Sequence, residues 1–273
     1  MNLNKLFLSV ICASLSATAF ADTADIKTSN NQLGIQATST HVDYTETGNG
    51  VLGSQTGTLD TENGNVPGFA LSLSVMKDWW LGNDYIEAGY SRNKGDTNYV
   101  GGTVSGNSPY GSIVGQDGAV IEDYHLRYGK GFVLGNQFML TPYFEIGHHR
   151  WDRAVNAGEI YANRYYGIGA LGQYSPVHKL VLTANVFGGG TYGSNIDAAG
   201  VFSGSLGNSA LFKAGLAADY AFTQSLHGNV GVDYTSFKYG MSAFYPQGGG
   251  YYVWEPDSST NYTTFKIGLG YAF

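Results

Sequence analysis

The sequence predicts an all-β chain folded as a transmembrane, antiparallel, up-and-down β-barrel of about ten strands, and three observations carry that prediction. The chain closes on an alternating segment in which Phe265, Ile267, Leu269, Tyr271 and Phe273 share one face while Lys266, Gly268, Gly270 and Ala272 share the other. That period of two belongs to a strand and not to a helix. Strand-like segments recur through the chain, with long polar connections after the odd ones and short turns after the even ones, the asymmetry of a barrel whose two rims face different compartments. The composition is also unusual: 40 glycines, 21 tyrosines and 14 phenylalanines accompany only 13% charged residues. So many aromatics argue against disorder, and the glycines lack a collagen-like period.

The amino terminus sets the compartment. Lys5, the apolar run Leu6 to Ile11 and the small-x-small site Ala19-Phe20-Ala21 have the form of a secretory signal peptide. The expected division is therefore a signal over residues 1–21, cleaved after Ala21 with Ala19 at the other small position, and a single barrel domain over 22–273. The apolar run falls short of the roughly 20 residues a membrane helix needs. Bulky Ile11 also argues against a lipidated Cys12. That lone cysteine leaves with the signal, so the mature chain has no disulfide. No later apolar run is long enough for a membrane helix, and a net charge of −7 provides no basic surface for nucleic acid.

In chain order, residues 22–31 read as a polar lead-in. Strands are predicted over Leu33–Thr45, Pro67–Met76, Asp84–Lys94, Ala119–Tyr128, Gln137–His149, Ile160–Tyr174, Lys179–Gly188, Ala210–Phe222, Leu226–Tyr239 and the closing segment. The stretches 46–66, 95–118, 189–208 and 240–257 read as long loops. An even count is required of a single-chain bacterial barrel, and eight or twelve would also satisfy it. Both termini fall on the short-turn rim.

Alternation assigns faces. Phe138, Leu140, Pro142, Phe144 and Ile146 on the fifth strand, and Phe212, Leu216, Tyr220 and Phe222 on the eighth, are expected to face lipid. Pro142 is the awkward member, since proline cannot donate to a ladder. Trp79, Trp80, Tyr174, Phe222, Tyr271 and Phe273 form one expected interfacial belt, and Tyr44, Tyr90 and Tyr234 the other.

Taken with the signal peptide and the alternating loop lengths, the terminal Phe265-x-Ile267-x-Leu269-x-Tyr271-x-Phe273 pattern resembles the outer-membrane β-barrel proteins of Gram-negative bacteria. The resemblance covers the mature chain as a pattern of architecture. It implies residence in the outer membrane, lipid around the barrel, and reading of the terminal aromatic strand by the barrel-assembly machinery. Barrels of this size include adhesins, small pores, structural proteins and enzymes, so the fold alone does not select a function. Trp254-Glu255-Pro256-Asp257-Ser258 attaches to no known activity.

The candidate interior residues are Glu87, Asp123, His125, Arg127, Glu145, Lys213, Asp219, Asp233 and Lys266, joined by His149 and His227. They read as a mixed-charge network filling a narrow lumen, because enclosed charges need partners. Glu87 with Arg127, and Lys213 with Asp233, are the expected bridges between neighbouring strands. An enzymatic alternative comes from Asp60-x-Glu62 followed by Asp123-x-His125, which resembles the acidic pair and Asp-x-His arrangement of omptin proteases; there His125 would be the general base toward water. The adjacent His148 and His149 point to opposite faces and cannot converge on a metal. Neither a metal nor another cofactor is expected, and no catalytic residue is assigned in the main reading. That reading is non-enzymatic: loops that bind an external ligand or a structural role, around a mostly occluded lumen. A small porin-like channel is the alternative.

Overall fold

The computed structural model describes residues 22–103 and 108–273. The expected signal peptide, with Ala19 and Ala21, lies outside the described residues. Ten long strands form one closed antiparallel sheet. They are β1 (Gln32–Asn49), β2 (Thr56–Lys77), β3 (Asp84–Gly101), β4 (Ile113–Lys130), β5 (Phe138–Arg153), β6 (Glu159–Val177), β7 (Leu180–Ala198), β8 (Ala210–Ala221), β9 (Leu226–Tyr239) and β10 (Asp257–Ala272). Each pairs with its sequence neighbours, and β10 returns to β1 with Leu33 opposite Tyr271 and Ala37 opposite Ile267. Neither terminal strand therefore leaves an edge unpaired, the condition for crossing a bilayer in extended conformation.

The exterior follows the predicted parity. Phe265, Ile267, Leu269, Tyr271 and Phe273 are all exposed, as are Phe138, Leu140, Phe144, Ile146, Phe212 and Leu216. Outward positions turn polar at His41, Arg92, Arg150 and Arg164, which bounds the apolar band on its upper side. Tyr44 departs from the expected belt. It shares the parity of Val42 rather than of Leu33 and Ile35, so its ring points inward and is fully buried.

Pro142 sits where the fifth strand tolerates it. The β4–β5 ladder stops at Gly129 opposite Tyr143 and resumes only with Phe132 opposite Leu140. The missing N–H therefore falls in a gap between ladders.

The largest difference from the sequence reading is in the outer connections. Most of 46–66 is not loop: β1 continues to Asn49 and β2 begins at Thr56, paired throughout. The same extension carries β3 and β4 to Gly101 and Ile113. A strand needs only about 9–11 residues to cross a bilayer, so these 18-residue strands project well beyond the apolar band. The extension was hidden because both faces are polar above the membrane, which removes the hydrophobic alternation while backbone pairing persists.

The polar lead-in is also structured. Thr23–Ser29 forms a helix, α1. Ile26 on it is fully buried within the same apolar cluster as Met76, Met139, Leu171 and Val181, near the short-turn rim. Asn30 and Gln173 exchange side-chain hydrogen bonds of 2.8 and 2.9 Å, which ties the lead-in to the inner wall of β6.

Candidate functional site

The interior is built in layers, each set by side chains of inward parity. At mid-depth, six of the predicted residues join a closed circuit. Arg127 Nε donates to Glu145 at 2.5 Å, and its Nη1 donates to Glu87 at 3.1 Å. Lys213 Nζ donates to Glu145 at 2.9 Å and to the Tyr165 hydroxyl at 2.7 Å. Tyr165 in turn donates to Asp123 at 3.2 Å. His125 completes the ring, with Nε2 3.1 Å from Glu87 and Nδ1 3.5 Å from Asp123. The His125 ring thus lies between two carboxylates, within hydrogen-bond distance of Glu87 and close to Asp123. Glu145 is wholly buried, so its two cationic partners are obligatory.

Glycines make room for the rings in this layer. A Cβ at Gly89 would stand 2.3 Å from His125 Cε1, and one at Gly147 would stand 2.2 Å from Tyr165 Cζ. Both positions therefore let a side chain from the adjacent strand lie flat against the barrel wall.

Above the ring, an aromatic layer includes Trp151, Tyr161, Tyr239, Phe237 and Tyr262, all buried. His149 lies within it, edge-on to Phe237 and 3.3 Å from the Tyr262 hydroxyl. Higher still, Arg153 forms a second ionic cluster that sequence reasoning missed. Its guanidinium contacts Glu62 at 2.5 Å, Asp60 at 3.2 Å and Glu159 at 3.2 Å. It also lies over the Tyr44 ring at 4.5 Å. The signal was present: extending the parity of Glu145 and His149 along the fifth strand reaches Trp151 and Arg153.

The unassigned Trp254-Glu255-Pro256-Asp257-Ser258 stretch docks the last connection on this cluster. Glu255 is buried and accepts a hydrogen bond from Tyr161. Its own N–H donates to Ser242 Oγ at 2.8 Å, while Asp257 accepts from the Met241 N–H at 3.0 Å. Trp254 packs edge-on against Phe244. Burial and then the neighbouring Glu159 carboxylate push the pKa of Glu255 up to about 8, against the opposing effects of Tyr161 and Arg153.

The remaining predicted residues lie apart from the ring. Asp233 pairs with Lys266 and not with Lys213, which reaches across the lumen to Glu145. The register explains the change: Lys213 stands opposite Thr235 and Asp233 opposite Gly215. Asp219 holds His227 Nδ1 at 2.6 Å near the short-turn rim. Asp60 and Glu62 are on a strand and not in a loop, and they do not meet Asp123 and His125. Glu62 accepts from Thr97, whose hydroxyl also donates to the Asp117 carbonyl on β4. From Asp117 to Asp123 is roughly 20 Å of extended strand at about 3.4 Å per residue. The acidic pair Asp60 and Glu62 thus sits at a different depth of the lumen from Asp123 and His125. Among the described residues, no group of three or more His, Cys, Asp or Glu could hold a metal ion.

Closure of the sheet and its apolar exterior define a transmembrane up-and-down β-barrel, a fold shared with solved outer-membrane proteins of Gram-negative bacteria. Among solved structures, the outer membrane protease OmpT from Escherichia coli is similar with a TM-score of 0.53 and 12% identity, over 89% of this chain and 95% of that one. The transport unit of the autotransporter AIDA-I from Escherichia coli has a TM-score of 0.45 and 11% identity, over 98% and 97% of the two chains. At 12% identity the likeness to the protease is one of fold alone. No protein-family model and no curated protein sequence matches the chain.

Proposed function

We propose that this protein is an occluded outer-membrane barrel whose working surface is its crown of projecting hairpins, serving surface binding, adhesion or a structural role without catalysis. One observation carries the reading. The lumen is crossed by the Arg153 cluster, the aromatic layer beneath it and the ionic ring, while β1–β4 continue past the apolar band as paired polar hairpins. A rigid scaffold that ends in polar, solvent-facing segments suits contact with an external partner. Water reaches the lumen wall at Ala217 and beside Asp233, so closure rests on the layers above.

Lipid around the barrel and recognition of the Tyr271 and Phe273 strand by the assembly machinery belong to the same proposal, as does export through a cleaved signal peptide. Planar-bilayer recording tests the central point. The purified barrel should give no steady single-channel current. Sustained openings would replace this reading with that of a small channel.

A further inference from the structure

We propose that the outer wall over β3–β6 carries a binding site for a membrane lipid whose headgroup bears two phosphates, built from Arg92, Lys94, Arg150 and Arg164. The strand registers bring these side chains together. Glu122 on β4 stands opposite Arg92 on one side and Arg150 on the other, which sets the two arginines about 10 Å apart, two strand spacings. Arg164 on β6 lies opposite His148 and is the diagonal neighbour of Arg150, at about 7–8 Å. Lys94 follows Arg92 at the same parity. Just below them the wall is apolar, with Leu126, Ile146 and Tyr166 exposed. The cations therefore stand at the upper boundary of the band, at the level of lipid headgroups.

Their distribution is local. The chain as a whole carries a net charge of −7, yet four outward cations gather on three strands within one sector of the wall. Elsewhere on the outer wall above the band, the described residues include one further cation, Lys238 on β9. Snorkelling side chains that only anchor a barrel would be spread around its circumference.

The donors are also available. Arg164 is exposed and makes no hydrogen bond or ion pair among the described residues. Arg92 is 46% exposed and 3.6 Å from Glu122, beyond a good hydrogen bond. Arg150 is 38% exposed and gives two of its five N–H groups to Asp152, at 2.7 and 3.0 Å. Exposed ion pairs of this kind contribute little and yield readily to a stronger anion. Asp96 on β3 and Asp197 on β7 lie at the margin of the patch.

A guanidinium fork matches phosphate oxygens bidentately, and charge-assisted hydrogen bonds are the strong ones. Glu122 at the centre repels a single anion placed over it. Two phosphates fit on either side, one held by Arg150 and Arg164 and the other by Arg92 and Lys94. The Tyr166 and Tyr192 rings, 5.7 Å apart, stand beside Arg164 as apolar backing for the lipid body. The site needs only the apolar band and its upper boundary, so it is independent of whether the crown binds a partner or the lumen conducts.

Native mass spectrometry of the full barrel released from zwitterionic micelles tests the assignment. The probes are cardiolipin with two phosphates, phosphatidylglycerol with one, zwitterionic phosphatidylcholine and inorganic phosphate. Cardiolipin should be retained most tightly. Arg164→Gln removes an unpaired side chain, so it should fold normally and bind cardiolipin about five-fold more weakly. Lys238→Gln makes the same change of charge away from the patch and should leave the affinity unchanged. Cardiolipin no tighter than phosphatidylglycerol or phosphatidylcholine, inorganic phosphate bound as tightly as the lipid, unchanged affinity in Arg164→Gln, or an equal loss in Lys238→Gln overturns the proposal.

Discussion

Arg153 on β5 and Glu62 on β2 meet across the outer lumen, with Nε 2.5 Å from Oε1 and both side chains wholly buried. The strands that carry them are not neighbours in the sheet, so the pair ties two separated parts of the wall together. Arg153→Ala would leave Glu62 and Asp60 enclosed without a counter-charge, and a loss of about 3–5 kcal/mol is expected. Arg153→Lys should recover little, because an ammonium lacks the planar fork that serves several acceptors at once. Urea unfolding of the micellar protein provides the measurement, and near-wild-type stability of Arg153→Ala would show that the cluster is not structural.

The layered interior predicts how the lumen could be opened. Removing residues 22–29 strips α1 from the short-turn rim but leaves the aromatic layer and both ionic clusters in place. That variant should remain silent in a planar bilayer. Trp151→Ala combined with Tyr262→Ala removes two buried rings from the layer above the water-accessible wall, and steady conductance is expected there first. Current from the α1 deletion alone would place the seal at the opposite end.

Face assignment has its own test. Leu216 is 63% exposed on the outer wall of β8, whereas its neighbour Ala217 faces the lumen. Leu216→Arg should cost roughly 2–4 kcal/mol if it lies near the bilayer midplane, and Ala217→Ser should be nearly neutral. Refolding equilibria in lipid vesicles distinguish the two. Equal tolerance would contradict the outward parity of β8.

The outer clasp should respond to pH. The folded pKa of Glu255 is about 8, above its ordinary value of 4.5. Between those values the folded chain holds a proton that the unfolded chain has released, so stability is fullest below pH 4.5 and falls as pH rises toward 8. Hydrogen exchange over residues 241–255 should be faster at about pH 9 than at about pH 5, beyond the intrinsic chemical trend. Glu255→Gln, permanently neutral, should remove that excess.

Gly147 offers a steric probe of the ionic ring. Its missing Cβ is the space that Tyr165 occupies. Gly147→Ala should displace Tyr165 from Lys213 and Asp123 at a cost of about 1–3 kcal/mol. Tyr165→Phe, which keeps the ring and removes only the hydroxyl, should cost less. Comparing the two unfolding midpoints separates packing from hydrogen bonding.

The strand count, the lipid-facing residues apart from Tyr44, and the pairing of the closing segment with β1 were legible in the residue order. They depend on a period-two alternation that each strand carries locally, and lipid on one side makes that alternation visible. Glu87 opposite Arg127 was readable for the same reason, since adjacent strands joined by a short turn have a nearly determined register. Contacts across the lumen were not readable. Lys213 with Glu145, Arg153 with Glu62 and Glu255 with Tyr161 depend on barrel diameter, strand tilt and side-chain reach. The outer strand extensions escaped detection because polar residues on both faces conceal the alternation while backbone hydrogen bonds continue. Local pattern thus specified the wall and its orientation, whereas only closure of the sheet chose which buried charges would meet inside it.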